Sequence, residues 1–204
     1  IMRRRQRQMC IRDSLNTLYL VTFTSLILLV FSFLSNYGNR VTRSKILNSL
    51  STFSITGYAI PGVILAVAFI TFIAWFDENI IKLLEIKSIK KFFIGSVFGL
   101  VIVYFIRFYS LAFNGVKTGY QRINRSIDES SYLLGYSKLR TFLEIHIPYL
   151  KNSIFLIGIL ITIEVIKELP ITVILRPFNF ETFATTAYVF ASQDLLEAAA
   201  VPSL

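Results

Sequence analysis

Apolar residues gather in four long runs along the chain, at approximately 15–34, 53–76, 92–113 and 154–175. Each is long enough to cross the roughly 30 Å hydrocarbon core of a bilayer as a helix. Polar residues collect between the runs, and no strand-like alternation at a spacing of about ten residues occurs, which disfavours an outer-membrane barrel. The pattern predicts an all-α, polytopic transmembrane helical bundle with about four spans. A final apolar stretch, 198–204, is too short to span and lacks a helix stop signal, so a fifth helix is expected to be truncated there.

The segment 114–152 between the third and fourth runs has a pattern of its own. Ser126-Ile127-Asp128-Glu129 fits a capping box and predicts a short helix beginning there. Gly135 can take the left-handed conformation that ends it, and Ser137 can cap a second helix running to about residue 147, where Pro148 is expected to stop it. On that second helix Leu139, Phe142, Leu143 and His146 share one face. A connection between spans needs only a few residues, so about 39 patterned ones suggest a docking element. An amphipathic hairpin lying on the lipid surface is the alternative.

Composition narrows the class. Of 204 residues, 54% are hydrophobic, 15% aromatic and 16% charged, against roughly 25% charged in soluble proteins. A disordered chain or a soluble enzyme fits poorly. The net charge of +9 raises a nucleic-acid reading, but the basic residues lie between apolar runs and form no aromatic-interleaved face, so no nucleic-acid partner is expected. The only cysteine, Cys10, excludes a disulfide framework and a cysteine-rich metal site. Met9-Cys10-Ile11-Arg12-Asp13-Ser14 reads like a translated transposase end of the kind used to prepare sequencing libraries. Residues 1–13 are therefore expected to be a non-native assembly scar, with a true basic segment as the alternative.

Without that segment 16 basic and 11 acidic residues remain. Nine of the basic ones, Arg40, Arg43, Lys45, Lys117, Arg122, Arg125, Lys138, Arg140 and Lys151, fall on one side of the predicted spans. Five, Lys82, Lys87, Lys90, Lys91 and Arg176, fall on the other. The positive-inside rule then places 114–152 in the cytoplasm.

The fourth run contains Glu164, Lys167 and Glu168, followed by Pro170. Three unpaired charges would oppose insertion by roughly 7 to 10 kcal/mol. Their spacing places them on one helical face where they can pair, while Pro170 permits a kink or an opened turn. They mark either a translocation or gating position, or a cluster that only fixes helix packing. Arg107, in the third run, can snorkel to the cytoplasmic surface or turn inward to an acid; snorkelling is the expectation.

Glu129-Ser130-Ser131, three residues, Gly135, nine residues, Ile145, one residue and Ile147-Pro148 together resemble the E-A-A-x3-G-x9-I-x-L-P signature of binding-protein-dependent ABC importer permeases. Serine replaces both alanines, and isoleucine the leucine. The resemblance implies that this element is the coupling helix, which docks on an ATP-binding subunit, with Glu129 as an anchoring charge, Gly135 as the turn and Pro148 as the return to the bilayer. Lys167-Glu168-Leu169-Pro170-Ile171-Thr172, then Leu175-Arg176-Pro177-Phe178-Asn179-Phe180 with Thr182 and Ala184, resembles a segment of the ferric-iron branch. So do Gly57-Tyr58-Ala59-Ile60-Pro61-Gly62 and Arg107-Phe108 with Ala112. Helix packing explains the glycine-proline stretch about as well as a pathway role does.

The resemblance covers 14–204 and implies a partial permease domain, the carboxyl-terminal half of a larger membrane unit, in a bacterial inner membrane. Implied partners are a dimer of ATP-binding subunits, a periplasmic iron-binding protein, a second permease half and the lipid bilayer. Hard iron(III) suits oxygen donors, so Glu164, Glu168 and Tyr58 or Tyr104 become candidates for transient contact along a route that includes Pro61, Pro170 and Arg176. Thiamine, a polyamine or a phosphonate is the alternative cargo, and an ion-coupled secondary transporter the alternative mechanism.

Asn114-Gly115-Val116-Lys117-Thr118 lacks the spacing of a phosphate loop, and neither H-E-x-x-H nor G-x-S-x-G occurs. The chain is expected to be a transport subunit with no catalytic residues and no bound cofactor, ATP being used by its partner. His146 is expected in a packing or docking surface.

Overall fold

The computed structural model describes residues 2–42, 49, 55–76, 78–79 and 93–195, with side chains from residue 11 onward except that of Ile55. Arg43, Lys45, Lys82, Lys87, Lys90, Lys91, the beginnings of the second and third apolar runs and the stretch 198–204 lie outside the described residues. Every regular element among the described residues is helical: α1 (Met2–Thr42), a 3-10 turn (Ile55–Ala59), α2 (Gly62–Phe76), α3 (Val97–Gln121), α4 (Arg125–Leu133), α5 (Lys138–Thr141), a π turn (Phe142–His146), α6 (Ile147–Lys167), α7 (Pro170–Leu175) and α8 (Phe183–Ser192).

Three stretches, Ile11–Thr42, Val97–Gln121 and Lys138–Lys167, are long and apolar enough to cross a membrane. The second predicted span is different. Proline biases the residue before it away from the helical region and cannot donate a backbone bond. Pro61 accordingly separates the 3-10 turn from α2, and the 15 residues of α2 cover about 22 Å at 1.5 Å per residue. Of the four expected spans, three are present at full length among the described residues.

The chain divides into two compact units, one of residues 1–24, 60–107 and 162–204, the other of 25–59 and 108–161. In the first, α2 packs on α7, with Leu65, Ala66, Leu100, Val103, Tyr104, Ile171 and Leu175 buried. Polar side chains tie α1 to the turn before α8: Asn16 Nδ2 donates to the Glu181 carbonyl at 3.0 Å, and Thr17 Oγ1 accepts from the Phe183 amide at 3.1 Å. Thr182 and Thr185 then cap α8 reciprocally.

In the second unit Phe33, Phe113, Val116, Tyr120, Phe142, Leu150, Ile157 and Ile161 form the core. A Cβ on Gly115 would lie 2.8 Å from Ile157 Cγ1, and one on Gly119 would lie 3.1 Å from Leu150 Cδ2. This pair of small residues four apart lets α3 and α6 approach closely, the usual device where lipid supplies no hydrophobic drive between helices. Asn36 Nδ2 donates to the Phe113 carbonyl at 3.1 Å and links α1 to α3. Leu26, Phe31 and Leu34 on α1, and Phe155 and Leu156 on α6, remain more than half exposed, as side chains facing lipid or further helices do.

Candidate functional site

The helix-turn-helix begins two residues before the point where a capping box would put it. Asn124 is the N-cap of α4: its side chain accepts from the Ser126 amide at 3.4 Å and its carbonyl from the Ile127 amide at 3.2 Å. Ser126 lies inside the helix and Glu129 is exposed, so the expected Ser126–Glu129 box is replaced by an asparagine cap. Asparagine caps at least as well as serine, and choosing it adds two residues, Arg125 and Ser126, to a short helix.

At the other end the expectation holds. Gly135 has φ +81°. The Tyr136 amide donates to the Ser131 carbonyl and the Gly135 amide to the Tyr132 carbonyl, both at 3.0 Å, the paired bonds of a Schellman turn. Ser137 caps α5 by accepting from the Arg140 amide at 3.3 Å.

Pro148 does not stop the second helix. It lies in the first turn of α6, where a missing amide hydrogen is tolerated. The lost bond is absorbed upstream by a widened turn in which the Ile147 amide donates to the Phe142 carbonyl. The expected apolar face also divides. Phe142 and His146 are buried, whereas Leu139 and Leu143 stay 65% and 51% exposed; the wider turn rotates the two pairs apart.

The two serines that depart from the permease signature have distinct places. Ser130 is exposed, while Ser131 is buried, donates to the Asp128 carbonyl at 2.7 Å and shares a hydrogen bond with Thr141 Oγ1 at 3.0 Å. A hydroxyl at this position joins α4 to α5, which an alanine could not do.

What holds this hairpin to the rest of its unit is a half-buried carboxylate, that of Asp128, which the sequence shows only as part of a capping box. Asp128 Oδ2 receives Arg40 Nε at 2.6 Å, and Asp128 Oδ1 lies 2.8 Å from His146 Nε2. Arg40 also donates to the carbonyls of Tyr120, Ile123 and Asn124 at 3.0 to 3.2 Å. One guanidinium thus joins the end of α1, the end of α3 and the beginning of α4, and Asp128 passes the connection to the π turn. His146 is 1% exposed, between the rings of Tyr37 and Tyr120. Above this clamp the hairpin presents Leu133, 90% exposed, and Leu134, 78% exposed. Ile145 is half-buried and Pro148 exposed.

Burial pushes the Asp128 carboxyl up, but the hydrogen bonds and charges of Arg40 and His146 outweigh it, and the net shift is downward. A depressed carboxylate stabilises the fold fully above its unfolded value, near 3.9, and loses that contribution as pH falls through its folded value. The clamp is therefore expected to hold at neutral and mildly acidic pH and to release only below about pH 4. Amide hydrogen exchange across 122–146 as a function of pH measures this. Faster exchange already at pH 6, with α3 still protected, would contradict it.

The second locus lies in the other unit. α6 ends at Lys167 and α7 restarts at Pro170, the opened turn that proline was expected to permit. The three charges of the fourth run do not form one cluster. Glu164 pairs with Lys167 at 3.1 Å, and that lysine is 61% exposed. Glu168 leaves the helical register at the break and is 7% exposed, its Oε2 lying 3.3 Å from Arg107 Nε. Arg107 therefore turns inward and does not snorkel, because an ion pair inside the unit offsets the charge better than the reach to the surface.

Arg107 Nη1 also donates to the Ile60 carbonyl at 3.2 Å, and Glu168 Oε1 accepts from the Ile171 amide at 3.4 Å. Thr172 Oγ1 donates to the Glu168 carbonyl at 2.6 Å and contacts the buried hydroxyl of Tyr104. A Cβ on Gly62 would lie 2.7 Å from both Arg107 Nη1 and Glu168 Oε1. The three separate stretches that resemble the ferric-iron branch thus meet at Gly62, Arg107 and Glu168. Of the remaining candidates, Pro61 accepts the Leu65 amide through its carbonyl and starts α2. Arg176 pairs with Glu181 and closes the turn that precedes α8. Tyr58, in the other unit, is 45% exposed beside Phe108. Among the described residues no three His, Cys, Asp or Glu side chains gather as a metal site.

Three apolar helices of spanning length, a capped polar hairpin and a charge pair buried in the bundle describe a multi-pass membrane protein. The chain belongs to the family described as Binding-protein-dependent transport system inner membrane component, whose family model matches residues 29–177, more than half of its length. It is a permease subunit of an ABC transporter, a class that works with an ATP-binding subunit and a substrate-binding protein. No curated protein matches the chain.

Proposed function

We propose that this permease imports iron(III) handed over by a periplasmic binding protein, across a bacterial inner membrane, with a dimer of ATP-binding subunits docking on the hairpin 125–146. The observation that carries the coupling role is the rigid presentation of Leu133 and Leu134 by a hairpin clamped through Asp128. Exposed leucines at the tip of a braced polar element suit a fixed partner groove better than a mobile linker. Glu129 and Ser130 line the same exposed helix and supply its polar rim.

The iron reading is supported by the meeting of Gly62, Arg107 and Glu168. Glu168 is already paired, so it acts on the cargo through gating rather than as a standing ligand, and Glu164 supplies at most transient contact. Transport favours this weakness, since a site must release what it binds. In vesicles containing the intact permease, its ATP-binding subunit and its binding protein, ATP-dependent accumulation of iron(III) is the expected result, and Glu168→Gln is expected to reduce it about tenfold or more at equal protein level. Accumulation of thiamine, a polyamine or a phosphonate in place of iron would keep the importer and replace the cargo.

A further inference from the structure

The hollow beside the clamp belongs neither to the hairpin tip nor to the Arg107–Glu168 locus. It measures about 670 Å³ and is lined by the end of α1 (Asn36, Asn39, Arg40), the end of α3 (Phe113, Lys117, Tyr120, Gln121) and the turn into α4, residues 122–125. Four of these residues are cations. Arg40 is satisfied by Asp128 and three carbonyls. Lys117, Arg122 and Arg125 are exposed, and none of the carboxylates among the described residues pairs with them.

Like charges facing one concavity repel, and nothing in the wall offsets them. Tyr120 lines the same hollow, and its buried hydroxyl has no hydrogen-bond partner among the described residues, an uncommon state for a buried donor. Position adds to chemistry. The apolar length of α3 ends at Gln121, and Lys117 lies one turn before that end. The cations therefore sit where a spanning helix leaves hydrocarbon and enters the headgroup layer, the depth at which basic recesses between helices meet lipid phosphates.

We propose that this hollow binds a phosphate-bearing anion, Lys117, Arg122 and Arg125 supplying the charge, and that the anion is the headgroup of an anionic phospholipid. Free phosphate shares the chemistry but lacks the acyl chains that would hold it at this depth. The inference rests on membrane insertion alone, so its failure leaves the iron and coupling assignments untouched.

The test uses the intact permease with its ATP-binding subunit, purified in detergent and titrated with phosphatidylglycerol or phosphatidylcholine, with retained lipid measured by native mass spectrometry. Wild type is expected to retain phosphatidylglycerol in preference to phosphatidylcholine, and Lys117→Gln/Arg122→Gln/Arg125→Gln to weaken retention about a hundredfold. A Lys138→Gln/Lys151→Gln variant, which removes charge outside the hollow, is expected to change it little. Lys117→Arg is expected to retain the lipid, which separates loss of binding from loss of folding.

A parallel titration with inorganic phosphate distinguishes the two sources. Phosphate that binds wild type at micromolar concentration and displaces the lipid would overturn the lipid assignment. Equal retention by wild type and the triple variant would overturn the site itself. So would equal losses per charge in the two multiple variants, and so would loss of the ATP-binding subunit from the triple variant with lipid unchanged, which would assign the basic wall to the protein partner.

Discussion

Replacing Glu168 by leucine is expected to destabilise the permease by about 3 to 5 kcal/mol, the usual cost of removing one partner from a buried ion pair. The loss arises from what remains: Arg107, 19% exposed, keeps its hydrogen bond to the Ile60 carbonyl but loses the carboxylate that offsets the desolvation of its charge. Arg107→Leu/Glu168→Leu is expected to recover most of the stability, because apolar side chains of similar volume pack without that cost. It is not expected to recover transport. Thermal unfolding of the two variants, measured beside ATP-dependent uptake, separates a gating pair from a packing pair. A double variant that is stable and transports normally would reduce the locus to packing.

An equally large effect is expected at the hairpin tip. Leu133→Asp/Leu134→Asp should leave the permease folded, since both side chains are already exposed, and should weaken its hold on the ATP-binding subunit at least about a hundredfold. Burying two leucines contributes roughly 3 to 6 kcal/mol, and a carboxylate placed in an apolar groove adds its own desolvation cost. Co-purification of the subunit with the variant at wild-type yield would show that the docking surface lies elsewhere.

Much of this architecture is legible in the sequence because it depends on local chemistry. Spans at α1, α3 and α6 follow from apolar length with few charges, and the turn at Gly135 from the left-handed conformation that glycine takes without strain. Ser137 caps where a serine before a helical pattern should. Errors of detail arise where two local solutions compete: Asn124 and Ser126 both can cap α4, and Pro148 is compatible with the end of one helix or the first turn of the next.

The larger omissions are tertiary. Arg40 counts in the sequence only as a topological charge and Asp128 only as part of a capping box, and nothing local says that they meet across 88 residues. Helical spacing places Glu168 with Glu164 and Lys167. The break before Pro170 removes it from that register, and the partner it then finds, Arg107, belongs to another span. The spacing of Gly115 and Gly119 was a visible sign of close helix packing, obscured by its likeness to a phosphate loop.

Accessibility of the hairpin tip tests the coupling role most directly. In the intact assembly, with every other cysteine replaced by serine and Leu134→Cys as the single thiol, a membrane-impermeant maleimide is expected to react only from the cytoplasmic face, and to be blocked when the ATP-binding subunit is bound. Reaction from the opposite face, or at the same rate with and without that subunit, would contradict it.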